Sequence, residues 1–190
     1  MTNQPDYFVQ RAKNNWAYEY IRYIKMDLQL VIAKQHELEE IARLAEITWN
    51  EHYIPIIGQK QVDYMLAKIY SEKAMQEQFA KKGHVFYFVE LDGKRIGYVA
   101  VTYMPEINEV FIHKFYLLAQ KQKKGLGTQV FHLLYTLFPA EATYKLTVNR
   151  QNFKSINFYF KNGFTIHSVE DFDIGEGYFM NDFVMVKKPV

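Results

Sequence analysis

Cysteine is absent from the 190 residues. Its absence excludes disulfides, thiolate-bound metal and a cysteine nucleophile. No apolar run reaches the roughly 18 residues that a membrane span requires. The opening residues MTNQPDYFVQ lack the basic start and apolar core of a signal peptide. The expectation is a cytoplasmic protein with no membrane partner. An excess of either charge is also missing: 23 basic residues stand against 21 acidic ones, a net +2. That is too little to make nucleic acid the main partner. The histidines, His36, His52, His84, His113, His132 and His167, show no ligand spacing, so no metal is expected. Repeats, low-complexity tracts and linkers rich in Pro, Gly or Ser are lacking too.

What the chain has in plenty is apolar and aromatic side chains. Hydrophobic residues make up 49%, enough for one full core, and 15 Tyr and 15 Phe suit flat packing in sheets. Residues 5–24 read as an aromatic-rich helix appended to the rest of the chain. A strand is expected over 28–34, then a helix over 36–53 with Leu38, Ile41, Leu44, Ala45 and Thr48 at helical spacing, broken by Pro55 and Gly58. A second amphipathic helix is expected over 60–79. Two β-rich runs flank Asp92-Gly93, a strong hairpin signal. Further strands are expected at 109–118 and 143–149, helices from Leu126 to Pro139 and over 152–162 with Gly163 at its end, and two last strands after that. The order β, α, α, β, β, β, α, β, α, β, β implies a mixed sheet with helices on its faces.

The stretch KQKKGLGTQVFHLL, residues 121–134, comes after a strand and opens a helix. Gly125 and Gly127 let successive N–H groups converge at the positive end of the helix, beside Lys121, Lys123 and Lys124. A diphosphate suits such a seat; a lysine-decorated turn is the plainer reading. The stretch is not a P-loop, because its lysines precede its glycines, and a G-x-G without a third glycine is not a dinucleotide fingerprint. In 152–162, Asn152, Ser155, Tyr159 and Asn162 form one polar stripe beside an apolar face of Phe153, Ile156 and Phe160. Asn152 is also placed to be the N-cap of its helix.

Taken together, the two segments resemble the GCN5-related N-acetyltransferase (GNAT) superfamily. Gln122, Gly125 and Gly127 match its Q/R-x-x-G-x-G/A acetyl-CoA signature, and Asn152, Tyr159, Gly163 and Phe164 match its second cofactor segment. TWNEHY (48–53) and GYFMNDFVM (177–185) are more loosely similar to the branch with polyamine and small-amine acetyltransferases. The resemblance implies an α/β (α+β) fold with a mixed, mostly antiparallel central sheet and helices on both faces. It implies a single acetyltransferase domain over 25–190, with 1–24 as an N-terminal extension.

The implied activity is acetyl transfer from acetyl-CoA to a primary amine, on a small molecule such as a polyamine or on a peptide, by direct attack in a ternary complex. The implied cofactor contacts are Leu117 and Leu118 near the acetyl group, with a backbone N–H there polarising its carbonyl. Gln122 and the segment Lys123, Lys124, Gly125, Leu126, Gly127 and Thr128 hold the pyrophosphate, and Asn152 and Ser155 the pantetheine arm. Tyr159 matches the general acid. Glu109 and His113, four apart on one strand face, are both candidates for the base. Phe111 stands where the family often has a glutamate. Glu51, His52, Tyr53 and Asp182 are candidates for the acceptor site, with Glu46 beside them, and the acidic run VEDFDIGEG (169–177) suits a cationic amine or is a solvated turn. The alternative function is a CoA-binding regulatory module without turnover. The aromatic load and final strands are compatible with a homodimer.

Overall fold

The computed structural model describes residues 27–122 and 125–189. The helix expected over 5–24 lies outside the described residues. The elements run β1 (Leu28–Ile32), α1 (Leu38–Ile57), α2 (Gln59–Tyr70), α3 (Glu72–Ala80), β2 (Val85–Leu91), β3 (Lys94–Met104), β4 (Glu109–Leu117), α4 (Leu126–Tyr135), β5 (Thr143–Asn149), α5 (Phe153–Lys161), β6 (Thr165–Gly175) and β7 (Tyr178–Lys187). The seven strands form one sheet in the order β1-β2-β3-β4-β5-β7-β6. Every neighbouring pair is antiparallel except β4 and β5.

Strand alternation feeds two cores, one on each face of the sheet. Phe86, Phe88, Tyr98 and Ala100 pack against α1, α2 and α3, while Val89, Val99, Val101 and Val110 pack against α4 and α5. The β2–β3 hairpin turns on Asp92 (φ 51°) and Gly93 (φ 72°), the paired positive values of a type I′ turn.

Two features of β4 shape the centre of the molecule. First, β4 pairs with β5 only from Glu109–Ile112 to Thr143–Leu146. Past Ile112 the strands diverge and leave a wedge open in the sheet. Second, β4 carries a bulge against β3. Ala100 faces Lys114 and Val101 faces Ile112, so His113 is the extra residue. The bulge reverses the alternation: Ile112, Phe115 and Leu117 face the α4–α5 core, whereas Lys114 and Tyr116 lie on the α1–α3 side.

Several element expectations need correction. Helix α1 runs through Pro55 to Ile57 and stops at Gly58 (φ +80°). Pro55 sits in the last turn, where it removes a donor only from the carbonyl of exposed Glu51. The single helix expected over 60–79 is two helices, divided at Ser71. That residue is extended (ψ 152°), and its hydroxyl caps Ala74 N–H. Helix α4 ends at Tyr135, before Pro139. The acidic run 169–177 is not a turn: β6 continues to Gly175 and turns only at Glu176-Gly177. On α5 the expected apolar face holds only at Ile156, which is buried; Phe153 and Phe160 are 70% and 46% exposed, while Asn152 and Tyr159 are buried. The polar stripe faces inward because it borders the wedge between β4 and β5.

Candidate active site

The wedge holds a passage through the sheet. A groove of about 540 Å³ lies on the α4–α5 side and a cavity of about 400 Å³ on the α1–α3 side. A neck of about 100 Å³ connects them. Groove and neck share Phe115, Leu117, Gln122, Lys154, Ser155 and Tyr159. Neck and cavity share Tyr53, His113, Tyr116, Thr147 and Val148.

The groove begins at the N-terminus of α4. Gly125 (φ 85°) is its N-cap and supplies no side-chain cap. The first intrahelical bond comes from Gln129 N–H to Gly125 O, so the N–H groups of Leu126, Gly127 and Thr128 have no helical acceptor. A Cβ on Gly127 would stand 3.0 Å from the Phe158 ring, so α4 and α5 approach closely only because that residue is glycine. Lys154 and Lys161 also line the groove. Lys123 and Lys124 lie outside the described residues. Asn152 is the N-cap of α5: its Oδ1 accepts from Ser155 N–H at 3.1 Å. It borders the neck as well, so both readings of that residue meet in one place.

Leu117 and Leu118 part company. Leu118 N–H donates to Ile96 O at 2.8 Å, and its side chain packs on the α1–α3 core. It lines neither groove nor neck, whereas Leu117 lines both. In an antiparallel ladder, directly bonded pairs alternate with unbonded ones. With Ile96 and Leu118 bonded, the next pair, Gly97 and Leu117, is unbonded, and the Leu117 peptide groups point into the wedge. Gln122 Nε2 accordingly reaches Leu117 O at 2.9 Å, and Lys154 Nζ holds Gln122 Oε1 at 2.5 Å.

Tyr159 is buried where groove and neck meet, and burial pushes its phenol well above its usual pKa. Tyr53 lies across the neck, its hydroxyl 3.4 Å from that of Tyr116. His52 lines the neck, half-buried, with its pKa lowered by burial. Glu51 is exposed, accepts from Gln120 Nε2 at 3.0 Å and lines neither the neck nor the cavity. Glu46 is also exposed and away from both. Glu109 starts β4, about 26 Å of strand from Leu117, and lines neither.

His113 borders both neck and cavity. Its Nε2 is 2.9 Å from Thr102 Oγ1 and its ring stacks on His84 with centroids 3.8 Å apart. Partial burial, His84 and Lys114 push its pKa down, although its side chain keeps contact with solvent. Asp182 is buried on β7, opposite Asn149, and lines the cavity. Burial raises its carboxyl to about 6, against the pull of Thr147 and Arg150. Phe111 lines the same cavity, so its β4 position offers an apolar wall instead of a carboxylate. Sequence reasoning missed Lys114, whose only local signal is a lysine within an apolar strand. It is buried, its Nζ donates to Gln78 Oε1 at 2.5 Å, and burial lowers its pKa to about 8.

Comparison with known proteins agrees with this geometry. The model of the Acetyltransferase (GNAT) family matches residues 38–164. The chain is 26% identical over 175 residues to a spermidine N(1)-acetyltransferase of Thermoplasma acidophilum, with 86% of this chain and 98% of that protein covered. It is 24% identical over 168 residues to an uncharacterized N-acetyltransferase of Lactobacillus delbrueckii subsp. lactis, with 84% and 96% covered. The crystal structure of the PaiA N-acetyltransferase of T. acidophilum in complex with coenzyme A superposes with a TM-score of 0.68 at 21% identity, covering 85% of this chain and 99% of that one. The split sheet, the glycine-opened helix and the family match over two-thirds of the length lead to one conclusion: the chain belongs to the acetyltransferase (GNAT) family and is an N-acetyltransferase.

Proposed function

We propose that the protein moves an acetyl group from acetyl-CoA, bound in the groove, to a primary amine, bound in the cavity, with transfer at the neck. One observation carries this reading: two separate binding spaces on opposite faces of the sheet meet at a neck lined by Leu117, Tyr159 and Tyr53. The groove fits the donor on its own features. It has a glycine cradle that a Cβ would fill, unpaired helix N–H groups, two lysines and an open strand edge.

The N–H groups of Leu126, Gly127 and Thr128, with Lys154 and Lys161, hold the diphosphate. Asn152, Ser155 and the free edge of β4 orient the pantetheine arm. Bound acetyl-CoA supplies an activated acetyl group. Leu117 N–H points into the wedge, where a fixed donor would stabilise charge developing on the acetyl carbonyl. Asp182 holds the acceptor's ammonium and takes its proton; a carboxyl near 6 ionises at neutral pH yet keeps useful basicity. Tyr159 Oη donates a proton at the sulfur end of the neck. Tyr53 and His52 close the neck around the amine. Spermidine, the substrate in the name of one relative, represents one acceptor class within this reading.

The test is a calorimetric titration with acetyl-CoA, then thiol release across an amine panel. Tyr159→Phe should lower kcat about 10²- to 10⁴-fold while cofactor affinity is unchanged. Saturable acetyl-CoA binding without thiol release for any amine would replace this reading with a non-catalytic CoA-binding module.

A further inference from the structure

The acceptor cavity is bipolar. Its walls are mostly apolar and aromatic, among them Trp49, Phe111, Met65 and Phe172, but it also carries two buried charged side chains. Asp182 sits on β7 beside Thr147 and Tyr53, which border the neck. Lys114 sits on β4 away from the neck, its Nζ 5.4 Å from the Tyr70 ring centre and 5.5 Å from that of Phe86. Among the described residues the two charges make no ion pair. A cavity that buries opposite charges on separate walls leaves both for its occupant to neutralise.

The Lys114 wall carries two donor groups, the Lys114 ammonium and the Trp49 indole N–H. Lysine has three N–H donors, and Gln78 Oε1 takes one here. Trp49 lines the same cavity with its ring 5.8 Å from that of Tyr70, and its buried Nε1 lies toward the Tyr70 hydroxyl without a hydrogen bond of full geometry among the described residues. An indole N–H can only donate. Buried polar atoms are nearly always paired, and both Trp49 and Lys114 pack on Tyr70, so this wall can offer donors to an acceptor on an occupant. Behind this wall His113 and His84 are stacked, and His84 Nδ1 is also buried without a partner among the described residues.

We infer that the acceptor is an amine that also carries a carboxylate, an apolar amino acid or a close analogue. Its ammonium meets Asp182, its carboxylate meets Lys114 Nζ and Trp49 Nε1, and its apolar body lies against Phe111, Met65 and Phe172. This rests on the reading of the cavity as the acceptor site. At pH 7 a carboxyl near 6 and an ammonium near 8 are each about nine-tenths ionised, so both poles are charged when the occupant arrives. The same wall opposes a polyamine, because a second ammonium would lie against the buried Lys114 ammonium.

The experiment is calorimetry on the full chain saturated with CoA, using L-phenylalanine, L-methionine and L-leucine, the matching amines without the carboxylate, and spermidine. At least one amino acid should bind about tenfold or more tightly than its decarboxylated partner, as expected for charge-assisted hydrogen bonds. Lys114→Met should abolish that ratio. Trp49→Phe, which keeps a ring and loses only the N–H donor, should reduce it. The inference is overturned if no amino acid binds, if the plain amines or spermidine bind as well, or if both variants leave the ratio unchanged. Thiol release is read separately. Turnover of spermidine with no amino acid turned over leaves acetyl transfer standing and sinks this inference. No turnover of any amine sinks acetyl transfer, while the binding ratios still judge the cavity.

Discussion

Asp182 works against the stability of the fold that holds it. Its carboxyl titrates near 6 in the folded chain against 3.8 when unperturbed. Between those values the folded form binds more protons than the unfolded form, so stability falls as pH rises from about 4 to 6 and stays lower above that. A shift of that size corresponds to roughly 3 kcal/mol. Asp182→Asn keeps the shape and removes the charge. It should raise the melting temperature at pH 7.5, by an amount equivalent to about 2 kcal/mol, and give little change near pH 4. The same substitution should lower kcat/KM by about 10²-fold or more. In the unmodified protein kcat/KM should fall as pH drops through about 6. Thermal melts and rate profiles at matched pH values check both halves. A variant that is inactive but no more stable at pH 7.5 would mean that the buried carboxylate is compensated by groups other than Thr147 and Arg150.

Helices α4 and α5 approach through Gly127, and that contact sets the width of the donor groove. The Cβ of Gly127→Ala would press on the Phe158 ring at 3.0 Å, and the larger side chain of Gly127→Val would also enter the groove. The valine variant should weaken acetyl-CoA binding at least tenfold in calorimetry, with the alanine variant in between. Equal affinity for all three would show that the α4 N-terminus does not touch the cofactor. This element, like the Asp92-Gly93 hairpin, the strand at 143–149 and the Asn152-capped α5, was legible in the sequence because local rules govern it: glycine at positive φ, period-2 alternation and a side-chain cap. What stayed hidden depends on pairing between distant segments. The bulge at His113 exists only relative to β3, and it sends Lys114 to the acceptor side, where strict alternation would pair it with Ile112. The separation of β4 from β5 beyond Ile112 turned the polar stripe of α5 inward and left Phe153 and Phe160 outside. Glu109 and His113 share a face as expected, but only His113 reaches the wedge.

The groove and the cavity, proposed above for donor and acceptor, lie on opposite faces of one sheet and meet at a narrow neck. In that reading each ligand has its own approach. The chain contains no cysteine, and Tyr159, whose hydroxyl borders both groove and neck, has its pKa raised by burial, so it stays protonated at neutral pH and is a poor nucleophile. This architecture favours direct transfer in a ternary complex over a stored acyl-enzyme. Initial rates measured over a grid of acetyl-CoA and acceptor concentrations should give intersecting double-reciprocal lines. Mass spectra of the protein incubated with acetyl-CoA alone should show no acetyl increment, about 42 Da, on any neck residue. Parallel lines with an acetylated Tyr159 or His113 would require the opposite order of events, with the neck acting as a relay rather than as a meeting point.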